Sequence, residues 1–150
     1  MFTKDSFVKA ISPIVIEIRM ERRIRQEEMA EVLGISRKTL VQIEKGRRNL
    51  SWTEAVCVAT LFKDSPTLEK VLGGNPIDVL SDINYLPKNK ERIVSPDSYW
   101  WEDVMIEGTY TIQQNIISKQ YRIIDDRNIQ LFSSFDYEEN LAVLKRRKDS

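Results

Sequence analysis

Residues 26–46 read QEEMAEVLGISRKTLVQIEKG, and the glycine at the centre of that stretch constrains the fold more than any other residue. Apolar residues recur at helical spacing on both sides of it, Met29 and Leu33 before Gly34, Leu40 and Ile43 after. Gly34 can take the positive φ that ends one helix and turns the chain sharply. Ile35 fills the inside of the turn, and Ser36 is placed to cap the helix that follows. Ala30 sits where a larger side chain would hold two crossing helices apart. Helices joined this tightly bury one shared seam, which leaves the outer face of the second free to project into a groove.

The surrounding sequence predicts more short helices over residues 1–86. Ser12-Pro13 reads as a cap and first-turn proline opening PIVIEIRMERR. Ser51 and Glu54 form a capping box before WTEAVCVATLF. Ser65-Pro66 and Asn75-Pro76 repeat the cap-plus-proline signature, with Gly73-Gly74 between them. Residues 87–95, within the polar stretch NYLPKNKERIVSP, read as a linker. Beyond it the texture changes. SPDSYWWEDVMIEG reads as a helix with Ser95 as cap, Pro96 first and Gly108 past its end. TYTIQQNII, KQYRIID and IQLFSS are rich in β-branched and aromatic residues, and FDYEENLAVLKRRK returns to helix. The expected fold class is α+β: an all-α domain of five helices over 1–86, a linker over 87–95, and an α-β-β-β-α module over 96–150.

Composition narrows the chemistry. The chain has no histidine, which removes histidine general acid–base catalysis, Ser-His and Cys-His nucleophile pairs and the usual zinc ligand sets. Its one cysteine, Cys57, excludes an internal disulfide and suits a reducing, cytoplasmic setting. No apolar run approaches the roughly 18 residues that span a bilayer, and MFTKDSFVKA is a poor signal peptide. Net charge is zero, but residues 1–75 hold 13 Lys/Arg against 10 Asp/Glu and residues 76–150 hold 10 against 13. A neutral total therefore leaves room for a local cationic field and a polyanionic partner.

The stretch RQEEMAEVLGISRKTLVQIEKGRRNLS resembles the helix-turn-helix of the Cro and phage-repressor-like (XRE) DNA-binding proteins, and the resemblance runs over about residues 11–72. It implies that the second helix of the pair reads double-stranded DNA. On that basis Arg37, Lys38, Thr39 and Gln42 are the candidate base-contacting residues. Arginine can bond guanine O6 and N7 together, and glutamine adenine N6 and N7. Gln is also common on exposed helices, so Gln42 has an ordinary alternative. Gln26, Ser36, Arg47, Arg48 and Asn49 are the candidate phosphate contacts. Arg47 and Arg48 follow a C-cap glycine, where cations also suit the helix dipole. The resemblance further implies a partly buried ion pair between Arg19 and Glu44. It predicts a transcriptional regulator, a repressor binding a pseudo-palindromic operator as a homodimer, with no cofactor and no enzymatic activity.

The resemblance does not reach the second half. An α-β-β-β-α order matches double-stranded-RNA-binding domains in outline, but those place lysines where this chain has the acidic FDYEEN. The acid pairs Glu102-Asp103, Asp125-Asp126 and Glu138-Glu139 fall in ordinary places for carboxylates, so a metal-dependent nuclease finds little support. Three consecutive aromatics on a helix, Tyr99, Trp100 and Trp101, cannot all face one core. Residues 96–147 are thus expected to dimerise or to bind a protein or effector partner. The rival reading is an antitoxin-type autoregulator whose second half holds a protein partner.

Overall fold

The structure is a computed structural model that describes residues 2–84, 86, 91–95 and 99–149. The chain divides into two compact units, Phe2–Ile77 and Asp78–Ser150.

The first unit is helical: α1 (Lys4–Ile11), a 3-10 turn (Ser12–Ile14), α2 (Val15–Glu21), α3 (Gln26–Leu33), α4 (Arg37–Glu44), α5 (Trp52–Leu61) and α6 (Pro66–Leu72). The division from the second unit falls inside α7 (Pro76–Ile83), so among the described residues seven α-helices precede the sheet. The count exceeds the expected five partly because the first apolar run is interrupted. Pro13 stands in the 3-10 turn between α1 and α2, where its missing N–H removes a ladder bond. Ser12 consequently does not N-cap a helix but stands at the C-terminal cap of α1. Its buried hydroxyl donates to the Val8 carbonyl (2.7 Å) and accepts the Leu50 N–H (2.9 Å), tethering α1 to the entry of α5. The other signals hold. Ser51 and Glu54 bond each other's backbone N–H at 3.1 and 3.0 Å, and Ser65 caps α6. Phe7, Ile11, Val15, Ile18, Met29, Leu40, Ile43, Val58, Leu68 and Leu72 form the core, each side chain contributing on the order of 1.5–3 kcal/mol by leaving water. Cys57 is half-buried and free. Trp52 packs edge-on against Phe7, ring centroids 5.8 Å apart, with the Lys4 ammonium over its ring.

The second unit is an antiparallel sheet with one covering helix. Its strands are β1 (Arg92–Ile93), β2 (Trp101–Glu107), β3 (Tyr110–Asn115), β4 (Tyr121–Ile124) and β5 (Ile129–Ser134), in the order β1-β5-β4-β3-β2. α8 (Tyr137–Lys148) packs against β3, β4 and β5, and Ile112, Ile123 and Leu144 make its dry centre, flanked by Met105, Tyr121, Phe132 and Tyr137. The fold is α+β, as expected, but the module's first element is corrected. Trp101–Glu107 is a strand, not a helix, and Gly108 with Thr109 forms the two-residue loop into β3. Gly108 has φ +60°, the positive value that a primed hairpin turn takes at its first position. Pro96, expected in the first turn of that helix, lies outside the described residues, as do linker residues 87–90. Arg92–Ile93, also in the predicted linker, pairs with β5.

The sheet's second face is polar, with Gln113, Arg122 and Ser133 buried and Asp103 exposed at its edge. Asp103, Gln113, Arg122 and Ser133 stand side by side on neighbouring strands. Gln113 donates to Asp103 (2.9 Å) and accepts from Arg122 Nε (2.8 Å). Arg122 also lies over the Trp101 ring, 4.0 Å from its centroid, and donates to the Ser95 carbonyl. Asp82 of α7 accepts from Gln120 and Ser133. Burial, together with the nearby Arg92 guanidinium, brings the Arg122 guanidinium down to about 10, so it stays charged at neutral pH. Tyr99 and Trp100 form a turn, with Tyr99 95 % exposed, while Trp101 enters the sheet. Among the described residues no helix is long and apolar enough to cross a membrane, and no group of three or more acidic or cysteine side chains is gathered to hold a metal ion.

Candidate nucleic-acid interface

The geometry of the interface is set by the turn between α3 and α4. Gly34 adopts φ +69°, a left-handed conformation that costs a residue with a Cβ roughly 1–2 kcal/mol. That bend lets the N–H groups of Gly34 and Ile35 return to the carbonyls of Glu31 and Ala30, at 3.1 and 3.0 Å. Ala30 is buried where the two helices meet. Leu40 and Ile43 turn the inner side of α4 into the core, so its opposite side is left at the surface.

On that outer side Arg37 and Lys38 are exposed, while Thr39 and Gln42 are half-buried. Ser36 is first of all a cap. Its hydroxyl accepts the Thr39 N–H (3.0 Å) and donates to the Thr39 hydroxyl (2.9 Å). Gln26, the first residue of α3, accepts from Arg37 Nη2 at 3.5 Å, so two candidate residues meet at the adjoining N-termini of α3 and α4. Gly46, at φ +73°, closes α4, and the Arg47 N–H returns to the Gln42 carbonyl (3.0 Å). Arg47, Arg48 and Asn49 follow in an exposed loop.

A buried brace holds α4 in place. Arg19 Nε and Nη2 grip the Glu44 carboxylate at 2.9–3.3 Å, and Arg19 Nη1 donates to the Ile24 carbonyl at 3.0 Å. Only 4 % of the Glu44 side chain and 16 % of the Arg19 side chain are exposed. The pair expected from the resemblance is present, with the backbone tie to Ile24 in addition.

Two ion pairs at this surface escaped the sequence reading. Glu27 lies 3.2 Å from Arg37 Nε, and Glu54 takes both Nη groups of Arg48 at 3.1 and 3.2 Å. Acids in a helix first turn are ordinarily explained by the dipole or by capping. Glu54 performs its capping role and adds a second. Partial burial opposes ionisation of its carboxyl, but hydrogen bonds from Arg48 and from the Ser51 N–H outweigh that and hold it below the ordinary carboxylate range.

Residues 15–56 match the model of a helix-turn-helix family, a span running from the first residue of α2 into α5. No match to a curated protein or to a solved structure was found.

Proposed function

We propose that this chain, a DNA-binding transcription regulator with a Cro and phage-repressor-like helix-turn-helix in residues 15–56, is a cytoplasmic repressor that binds a pseudo-palindromic operator as a homodimer. The observation that carries the reading is the first turn of α4. Arg37 and Lys38 project from a helix whose other side is anchored by Leu40, Ile43 and the Arg19–Glu44 brace. Such a helix can enter a major groove without disturbing its own core. Arg37, Lys38, Thr39 and Gln42 meet base edges; Gln26, Ser36, Arg47, Arg48 and Asn49 meet the sugar-phosphate chain. Residues 96–150 serve as the accessory module that pairs two copies, or binds a protein or effector, with 1–86 as the reading head. Half-sites then lie about one helical turn, roughly 34–36 Å, apart.

Fluorescence anisotropy with duplex DNA from upstream of the chain's own gene, against a scrambled duplex at two salt concentrations, tests this directly. Tighter binding to the upstream duplex at two protomers per site supports the reading. Equal, salt-fragile binding to both duplexes contradicts it, because backbone contact alone is sequence-independent and strongly salt-dependent.

The two arginines should separate under mutation. Arg37→Ala is expected to flatten discrimination at one or two base pairs, each worth about 1–3 kcal/mol. Arg48→Ala is expected to weaken every sequence alike and to reduce the salt dependence. Identical profiles of the two mutants across a set of operator variants would refute the division of roles.

A further inference from the structure

We propose that Glu54 is a positioning residue for DNA binding, presenting Arg48 to the phosphate backbone in a fork formed before the DNA arrives. The proposal rests on the reading of residues 47–49 as phosphate contacts. Glu54 is itself fixed: its carboxylate accepts the Ser51 N–H at 3.0 Å while its own N–H is capped by the Ser51 hydroxyl. Its side chain is 13 % exposed, against 43 % for Arg48. Both Nη groups of Arg48 meet this anchored carboxylate, one oxygen each. A guanidinium has five N–H donors, so the fork leaves others available to a second anion.

Arg48 stands in a loop, beyond the glycine that ends α4, where a long side chain would otherwise sample many rotamers. Fixing it in advance removes part of the ordering cost of the contact. The planar, bidentate geometry is one that lysine cannot reproduce.

The test has a sign that simple electrostatics would reverse. Glu54→Gln keeps the capping partner, since glutamine serves in a capping box as glutamate does, but it removes a negative charge near a polyanion. Charge alone predicts tighter DNA binding. Positioning predicts binding weaker by roughly three- to tenfold, the factor that ordering one mobile side chain carries. The full chain is titrated with a duplex recovered by selection from a random library, and with a scrambled duplex. Both affinities should fall together, and in an Arg48→Ala background Glu54→Gln should no longer weaken either. Tighter or unchanged binding by Glu54→Gln overturns the proposal, and so does equal weakening in the Arg48→Ala background. Arg48→Lys keeps the charge, loses the fork and should weaken binding as Glu54→Gln does. It carries the test where Glu54→Gln does not fold, and wild-type affinity in Arg48→Lys also overturns the proposal. A wild-type chain that selects no sequence overturns the functional reading and this inference with it. Selection by the wild type with tight binding by Glu54→Gln overturns the inference alone.

Discussion

Replacing Glu44 with alanine is expected to destabilise the helix-turn-helix unit by roughly 3–5 kcal/mol, the cost of leaving one partner of a buried ion pair uncompensated. Arg19 would keep its bond to the Ile24 carbonyl but lose the three contacts that neutralise it. An 84 % buried guanidinium side chain cannot easily reach water instead. A small domain has only about 5–15 kcal/mol in total, so a loss of this size removes a large share of its stability. Denaturant titration of wild type and mutant measures this, and an unchanged midpoint would show that the pair is dispensable. A paired control separates desolvation from packing. Arg19→Met combined with Glu44→Leu removes both charges while filling similar volume, and should cost far less than Glu44→Ala alone. DNA binding should fall with stability in the single mutant and recover in part in the double, because α4 is again held against α2.

The helix-turn-helix was legible because each of its constraints is local and tied to one residue. Gly34 supplies a left-handed turn, Ser36 a cap, Ala30 a close approach, and Leu40 with Ile43 the buried side of α4. Even the Arg19–Glu44 pair, 25 residues apart in sequence, followed from the resemblance. The ties between Arg48 and Glu54, and between Arg37 and Glu27, were not legible. A carboxylate near a helix N-terminus already has a sufficient local reason to be there, so its sequence position does not reveal a second partner.

The misread strand has a different origin. Ser95-Pro96 and Gly108 frame residues 96–107 like a helix start and stop. The interior carries the contrary signal, since Trp101, Val104 and Ile106 favour a pleated surface. Clean alternation was obscured because both faces of the sheet are in use. Met105 packs towards α8, while Asp103 and Trp101 join the polar row with Gln113 and Arg122. A register shift between Asp103 and Met105 breaks the period further, as bulges do at sheet edges. The polar face itself could not be read in advance: its donors and acceptors lie on different strands and meet only through their pairing.

Leu144→Ala tests whether the two units stand apart energetically. Leu144 is fully buried between Ile112 and Ile123 under the sheet, and truncating such a residue costs roughly 2–5 kcal/mol through lost transfer energy and the cavity left behind. Trp100 and Trp101 report on this unit and Trp52 on the other, so Trp52→Phe gives a chain whose tryptophan fluorescence follows the sheet alone. In that background Leu144→Ala should move the fluorescence transition to lower temperature, while most of the helical circular dichroism signal melts where it did before. A common shift of both signals would mean that residues 2–77 and 78–150 unfold as one cooperative body. The same variant also bears on the accessory role. If residues 96–150 pair two copies, unfolding them should reduce binding on a two-half-site duplex to that on a single half-site, since the second contact is then no longer intramolecular. Undiminished binding to the two-half-site duplex, with the sheet melted, would place the pairing of protomers in the helical unit.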